Sequence, residues 1–123
     1  MDLLGYFKNF FKRKPTEIET DLLAMIALLA KEENWCQGTM SQYDDKNKLQ
    51  KCCLYGAWLS LRKTKGNIDS VKNILCHKIL NGAPFYDGQQ CRIMTKWNDD
   101  PKRTHAEVLG LLTDTLKDLG WKL

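Results

Sequence analysis

The sequence predicts an all-α fold: one compact bundle of about five helices, with an irregular segment at about 84–103 packed over one end. Three observations predict it. Apolar residues recur at spacings of three and four over much of the chain, the period of one helix face. Two capping boxes, Thr16-Glu17-Ile18-Glu19 and Thr104-His105-Ala106-Glu107, mark helix starts. Proline or glycine stands where helical patterns end, at Pro15, Gly38, Gly66, Gly82 and Gly120.

Met1 to Lys14 reads as a short amphipathic helix. Leu3, Leu4, Tyr6, Phe7, Phe10 and Phe11 fall on one side, and Lys8, Lys12 and Arg13 on the other. Pro15 ends it, which separates an amino-terminal helix (1–14) from a helical domain (16–123). The first capping box then opens a helix running to about Glu33, with Glu17, Glu19 and Asp21 near its positive end. Ile18, Leu22, Met25 and Leu29, widened by Leu23, Ile26 and Ala30, form a stripe broad enough for the centre of a bundle.

Trp35-Cys36-Gln37-Gly38 closes that helix, and Thr39 to Lys48 reads as a polar connection. Leu49 to Lys63 is the next helix, with Leu54, Trp58 and Leu61 on one face. Its Gly56 costs about 1 kcal/mol against alanine, which points to close approach of another backbone or a large ring. A further helix carries Ile68, Val71, Ile74, Leu75 and Ile79 and stops at Asn81-Gly82. Ala83 to Gly88 is a turn-rich loop, and Gln89 to Trp97 fits a short helix or an extended piece equally well. The second capping box opens the last helix, with Val108, Leu109, Leu112, Leu116 and Leu119 inward.

At 123 residues the chain has the size of one domain. Its 43% apolar and 28% charged residues are ordinary proportions for a soluble globular protein. A net charge of +4 eases contact with a phosphate or an acidic surface without requiring either. Five cysteines, an odd number with no C-x-x-C pair and no secretory signal ahead of them, read as reduced thiols in a cytoplasmic protein. The longest apolar run, Leu22 to Ala30, is far short of the roughly 20 residues of a transmembrane helix.

Trp35-Cys36-Gln37-Gly38, Cys53-Leu54-Tyr55-Gly56-Ala57, and Trp97-Asn98-Asp99 followed by Arg103-Thr104 and Glu107-Val108 form a series of markers. The chain resembles a small domain family of unknown function from bacteria and their phages. That family is marked by W-x-Q-G, C-L-x-G-A and W-N-D followed by R-T-x-x-E-V. The resemblance covers about Asp21 to Lys117 and leaves the first helix outside; the doubled Cys52-Cys53 and the basic Lys102 depart from the pattern. It implies no reaction, and for a phage-encoded chain it implies the host cytoplasm.

Three kinds of chemistry are weighed. Cys53, with Gln37 upstream and Asn98 and His105 downstream, has the composition of a cysteine hydrolase: thiolate nucleophile, histidine base and an oxyanion donor. Cys53 also lies beside Gly56 and Ala57, where a thiol is packed and its pKa raised, so a core thiol is the expectation. Cys36, Cys52, Cys53, Cys76, His77 and Cys91 offer zinc ligands, but adjacent pairs on helices point about 100° apart, and no metal or cofactor is expected.

The third is anion recognition. Arg92, Lys96, Lys102, Arg103 and His105 gather near the start of the last helix, whose free amides suit a phosphate, and Trp97 offers a stacking face. Against this, Asp99 or Asp100 is expected to pair with Arg103, Asn98 to cap local amides and Trp97 to plug the bundle. The functional expectation is a small phage or bacterial accessory protein, not an enzyme, that binds another protein and interferes with host machinery or defence. One contact patch is Arg92, Trp97, Asn98, Asp99, Lys102, Arg103 and Thr104; the other is Phe7, Lys8, Phe10, Phe11 and Lys12, for a partner or a membrane surface. The alternatives are a hydrolase using Cys53 and a phosphate or nucleotide module centred on Arg103; the basic stripe is short for nucleic acid.

Overall fold

The computed structural model describes residues 13–65 and 69–122. Within them the chain is mostly helical: α1 (Glu17–Leu29), α2 (Leu54–Lys65), α3 (Asp69–Ile79), α4 (Gln90–Asn98) and α5 (His105–Asp118). It is not purely α. Between α1 and α2 lie a 3-10 turn at Glu32–Asn34 and an antiparallel hairpin, β1 (Ser41–Tyr43) and β2 (Leu49–Cys52).

The first capping box forms as its sequence requires. Thr16 Oγ1 accepts from the Glu19 amide at 3.2 Å, and the Glu19 carboxylate accepts from the Thr16 amide at 2.9 Å. From there Leu22, Met25 and Leu29 are completely buried, with Ile18, Leu23 and Ile26 packed at the margin. The helix stops at Leu29, four residues before the expected end, because Lys31 is extended. The carbonyl of Leu29, left without its helical partner, accepts His105 Nε2 at 2.6 Å. A carbonyl can only accept, so Nε2 carries the ring proton.

The expected helix from Leu49 is corrected. Leu49–Cys52 is strand β2, paired with β1 in the register Ser41↔Cys52, Gln42↔Lys51 and Tyr43↔Leu49, with a bulge between Gln42 and Tyr43. The connection read as merely polar is a built turn. Asp44 Oδ1 accepts from the amides of Lys46 and Lys48, at 2.9 and 2.8 Å, and Asn47 takes a left-handed conformation (φ 62°). On its other side β2 is held by the amide of Cys36, which donates to the Cys52 carbonyl at 3.1 Å.

The irregular segment at 84–103 is also corrected, because α4 occupies its middle. Gln90 is buried, yet its amide is satisfied: Nε2 donates to Asn73 and Asp87, each at 2.9 Å, and Oε1 accepts from the Gly88 amide. Met94 then faces the core while Ile93, its neighbour, lies at the margin. The core is completed by Leu54, Ala57 and Trp58 of α2, Val71, Leu75 and Cys76 of α3, and Val108, Leu111, Leu112 and Leu116 of α5. At roughly 1.5–3 kcal/mol for each large apolar side chain removed from water, all five helices share the hydrophobic stabilisation. No helix among the described residues is long and apolar enough to cross a membrane.

Candidate functional site

Asn98, at the end of α4 and 0% exposed, ties together segments far apart in sequence. Its Oδ1 accepts from Trp35 Nε1 at 2.7 Å and from the Leu54 amide at 3.0 Å; its Nδ2 donates to the Cys36 carbonyl and to Asp99 Oδ1, both at 3.0 Å. All four hydrogen bonds that an amide side chain can make are made. Leu54 is the first residue of α2, so Asn98 caps that helix from 44 positions away. Its expected caps on local amides give way to this long-range set.

The other marked residues join the same network. Gln37 Nε2 donates to the carbonyls of Asn98 (2.9 Å) and Asp100 (2.8 Å), and the Gly38 amide donates to Asp99 Oδ1 at 3.0 Å. Gly38 needs no side chain there and takes φ +81°. A Cβ on Gly56 would lie 2.0 Å from the Met40 carbonyl oxygen, so this glycine is where the hairpin crosses α2. Arg103 Nε donates to the Trp97 carbonyl at 2.9 Å, its guanidinium lies 4.0 Å from the Trp97 ring centroid, and Nη1 pairs with Glu107 at 3.2 Å. Glu107, not Asp99 or Asp100, is the carboxylate that Arg103 pairs with.

Thr104 and Glu107 form the second capping box, with the Glu107 carboxylate accepting from the Thr104 amide at 2.9 Å and from its hydroxyl at 3.1 Å. These bonds, with Arg103 beside them, hold the Glu107 carboxyl below the usual carboxylate range. A carboxylate therefore already stands at the start of α5, where a bound phosphate would have to sit.

Cys53 is 1% exposed, and its Sγ accepts from the Gly56 amide at 3.3 Å. Burial pushes the thiol up in pKa, against the partial opposition of that amide. His105 is engaged with the Leu29 carbonyl and lies against Trp35, ring centroids 6.1 Å apart. Burial likewise raises Cys36, brings Cys52 to about 12 and brings Cys76 to about 11. Neutral, sequestered thiols are poor nucleophiles and poor ligands. Among the described residues no group of three or more His, Cys, Asp or Glu is placed to hold a metal ion.

Beside the network, and sharing Trp97 and Arg103 with it, the surface at α4 is concave. A groove of about 560 Å³ runs beside that helix, its apolar lining supplied by Ile79, Phe85, Ile93 and Trp97 and its charged lining by Arg92, Lys96, Arg103 and the acid Asp100. A second depression of about 630 Å³, bounded by Thr95, Asp99 and Pro101, shares Arg92, Lys96 and Asp100 with the first. The two cations are one helical turn apart on α4. Tyr86, 80% exposed, stands next to Phe85 in the chain.

Of the residues picked out from sequence, Arg92, Trp97 and Arg103 line the groove and Asp99 lines the second depression. Asn98 is internal, Thr104 is used as a cap, and Lys102 is exposed but lines neither depression. Phe85, Ile79 and Ile93 were missed. Their only sequence trace is an aromatic in a turn-rich loop and apolar residues in excess of one stripe. Phe7, Lys8, Phe10, Phe11 and Lys12 lie outside the described residues, and Arg13 and Lys14, the end of the helix expected there, are not helical.

No curated protein and no solved structure matches the chain. The profile of a family of unknown function (DUF6197) matches residues 13–118. That span opens at Arg13, which holds Glu19, and closes at Asp118, which pairs with Lys78. It contains Asn98 and every partner of its side chain, and on that match the chain belongs to the family of unknown function DUF6197.

Proposed function

We propose that this protein is a small accessory module that works by binding another protein through the outward face of α4, without catalysing a reaction. The observation that carries this reading is the division of labour around Asn98. Asn98, Gln37 and Thr104 are spent on internal hydrogen bonds, while Trp97 and Arg103 also line a groove that carries apolar side chains, the cations Arg92 and Lys96 and the acid Asp100. A concave apolar surface with a few placed polar groups is the usual form of a binding site. The burial of Cys53 and the engagement of His105 speak against a hydrolase, and the Glu107 carboxylate at the start of α5 speaks against a phosphate there. A phage or bacterial setting, with interference in host machinery or defence as the outcome, rests on the resemblance of the three motifs.

The test is site-specific photocrosslinking in a bacterial lysate. A photoreactive residue replaces the exposed Gln89 at the groove, and in a control replaces Asp45 in the hairpin turn. A discrete protein adduct from position 89, absent from position 45 and reproduced with the purified partner, is the expected result. Identical adducts from both positions, or none from either, would end this reading.

A further inference from the structure

We infer that the occupant of the α4 groove is an acidic linear segment of the partner protein, lying extended across the helix, with carboxylates on Arg92 and Lys96 and one apolar side chain on the floor made by Phe85, Ile93 and Trp97. This rests on the reading that the groove is the docking face. Arg92 and Lys96 are exposed at i and i+4, and among the described residues neither has a carboxylate within 4.0 Å. Arg103, also in the lining, already pairs with Glu107, so the charge offered to a partner is that of Arg92 and Lys96.

Two depressions meet at Arg92, Lys96 and Asp100, which line both, and a chain that runs from one into the other fits them better than a compact ligand filling one hollow. About 560 Å³ above an apolar floor takes a large side chain or two, which supplies the affinity that rim charges alone do not.

The placement of acids separates a peptide from a nucleic acid. A polynucleotide sets a phosphate at every step and is bound by a run of cations. Here Asp99 and Asp100 interrupt the cations, and Asp100 lines both depressions. One or two carboxylates can be placed between such acids; a continuous phosphate backbone meets them in turn. The chain's own first 14 residues are not the occupant argued for, since they carry Lys8, Lys12, Arg13 and Lys14 against the single acid Asp2.

The experiment is selection of random nine-residue displayed peptides on the full chain, with Arg92→Glu/Lys96→Glu as the paired target. Both positions are exposed and outside the core, and an unchanged melting temperature confirms that the variant folds. The expected result is enrichment of Asp and Glu within a few positions of an aromatic or large aliphatic residue. The best such peptide loses about tenfold in affinity on the double variant, which itself selects Lys- and Arg-rich peptides. Selected peptides without acidic enrichment, or affinity unmoved by the double variant, overturn the inference. So does tighter binding of a ten-nucleotide single strand. If position 89 still crosslinks a protein while no peptide is selected, the groove docks a folded surface: the module stands and the linear segment falls. Failure of the crosslink itself removes the module reading first.

Discussion

Asn98 is surrounded by groups that cannot be satisfied without it: an indole N–H, the first amide of α2 and the carbonyl of Cys36. The Leu54 amide and the Cys36 carbonyl are buried, so their lost bonds are not replaced by bulk water, while the Trp35 indole is half-buried; a buried polar group left unpaired costs about 1–3 kcal/mol. Asn98→Ala is therefore expected to destabilise the fold by about 3–5 kcal/mol, the upper range for a single substitution. The melting temperature should fall by roughly 10 °C or more. Asn98→Asp separates the contributions. It keeps both acceptor bonds but gives up the donations to Cys36 and Asp99 and sets two carboxylates side by side, so it should also destabilise. Urea unfolding of both variants is the measurement. A loss below about 1 kcal/mol for the alanine would mean that the network forms around an already stable core rather than holding it.

Two glycines in helices show how one substitution reads differently between elements. Gly56 of α2 lies under the Met40 carbonyl, the same carbonyl that accepts the Cys53 amide at 2.9 Å. A methyl group there must push the hairpin away from α2, and Gly56→Ala is expected to cost about 1–3 kcal/mol despite alanine's better helix propensity. Gly110 of α5 has nothing within 4 Å of a built Cβ, so Gly110→Ala should stabilise by about 0.5–1 kcal/mol. Opposite signs in chemical denaturation are the outcome to look for; equal signs would show that the crossing of hairpin and helix is not tight. The same contrast explains what could be read beforehand. The capping boxes at Thr16 and Thr104 are local chemistry within four residues, and both form as written. The mid-helix glycine pointed to a close approach, but not to which backbone makes it. Strands of three and four residues are too short to show a period of two, and Leu49 to Leu54 is equally in phase with a helix, so the hairpin was hidden. The Trp97-Asn98-Asp99 run stands out in sequence, and Arg103, the partner of Trp97, lies only six positions on, but the side-chain partners of Asn98 and Asp99 outside the run lie 44 to 63 positions away, and one chain's sequence does not encode that pairing visibly.

Across the whole molecule, titratable groups are held in opposite senses at the two ends of the pH scale, and this sets a window of stability. Glu19 is 1% exposed and takes both guanidinium nitrogens of Arg13 at 2.5 Å as well as the Thr16 amide. The Arg13 bonds, with that amide, hold its carboxyl at about 2 against an ordinary 4.5. A group lowered on folding stabilises above its unfolded value and loses that contribution as the pH falls toward the folded one, here from about 4.5 to about 2. The buried thiols work the other way. Cys52 is raised by burial to about 12 from 9.0, so its contribution is complete below 9.0 and is lost as the pH climbs toward 12. Stability should be level between those limbs and fall at both. Arg13→Ala removes the largest cause on the acid side and touches none of the thiols, so it should lower stability at neutral pH, make the acid limb shallower and leave the alkaline limb alone. Urea midpoints measured from pH 2.5 to 10.5 decide it. An acid limb of unchanged slope in the variant would show that other carboxylates, not the Arg13–Glu19 pair at the start of α1, govern acid unfolding.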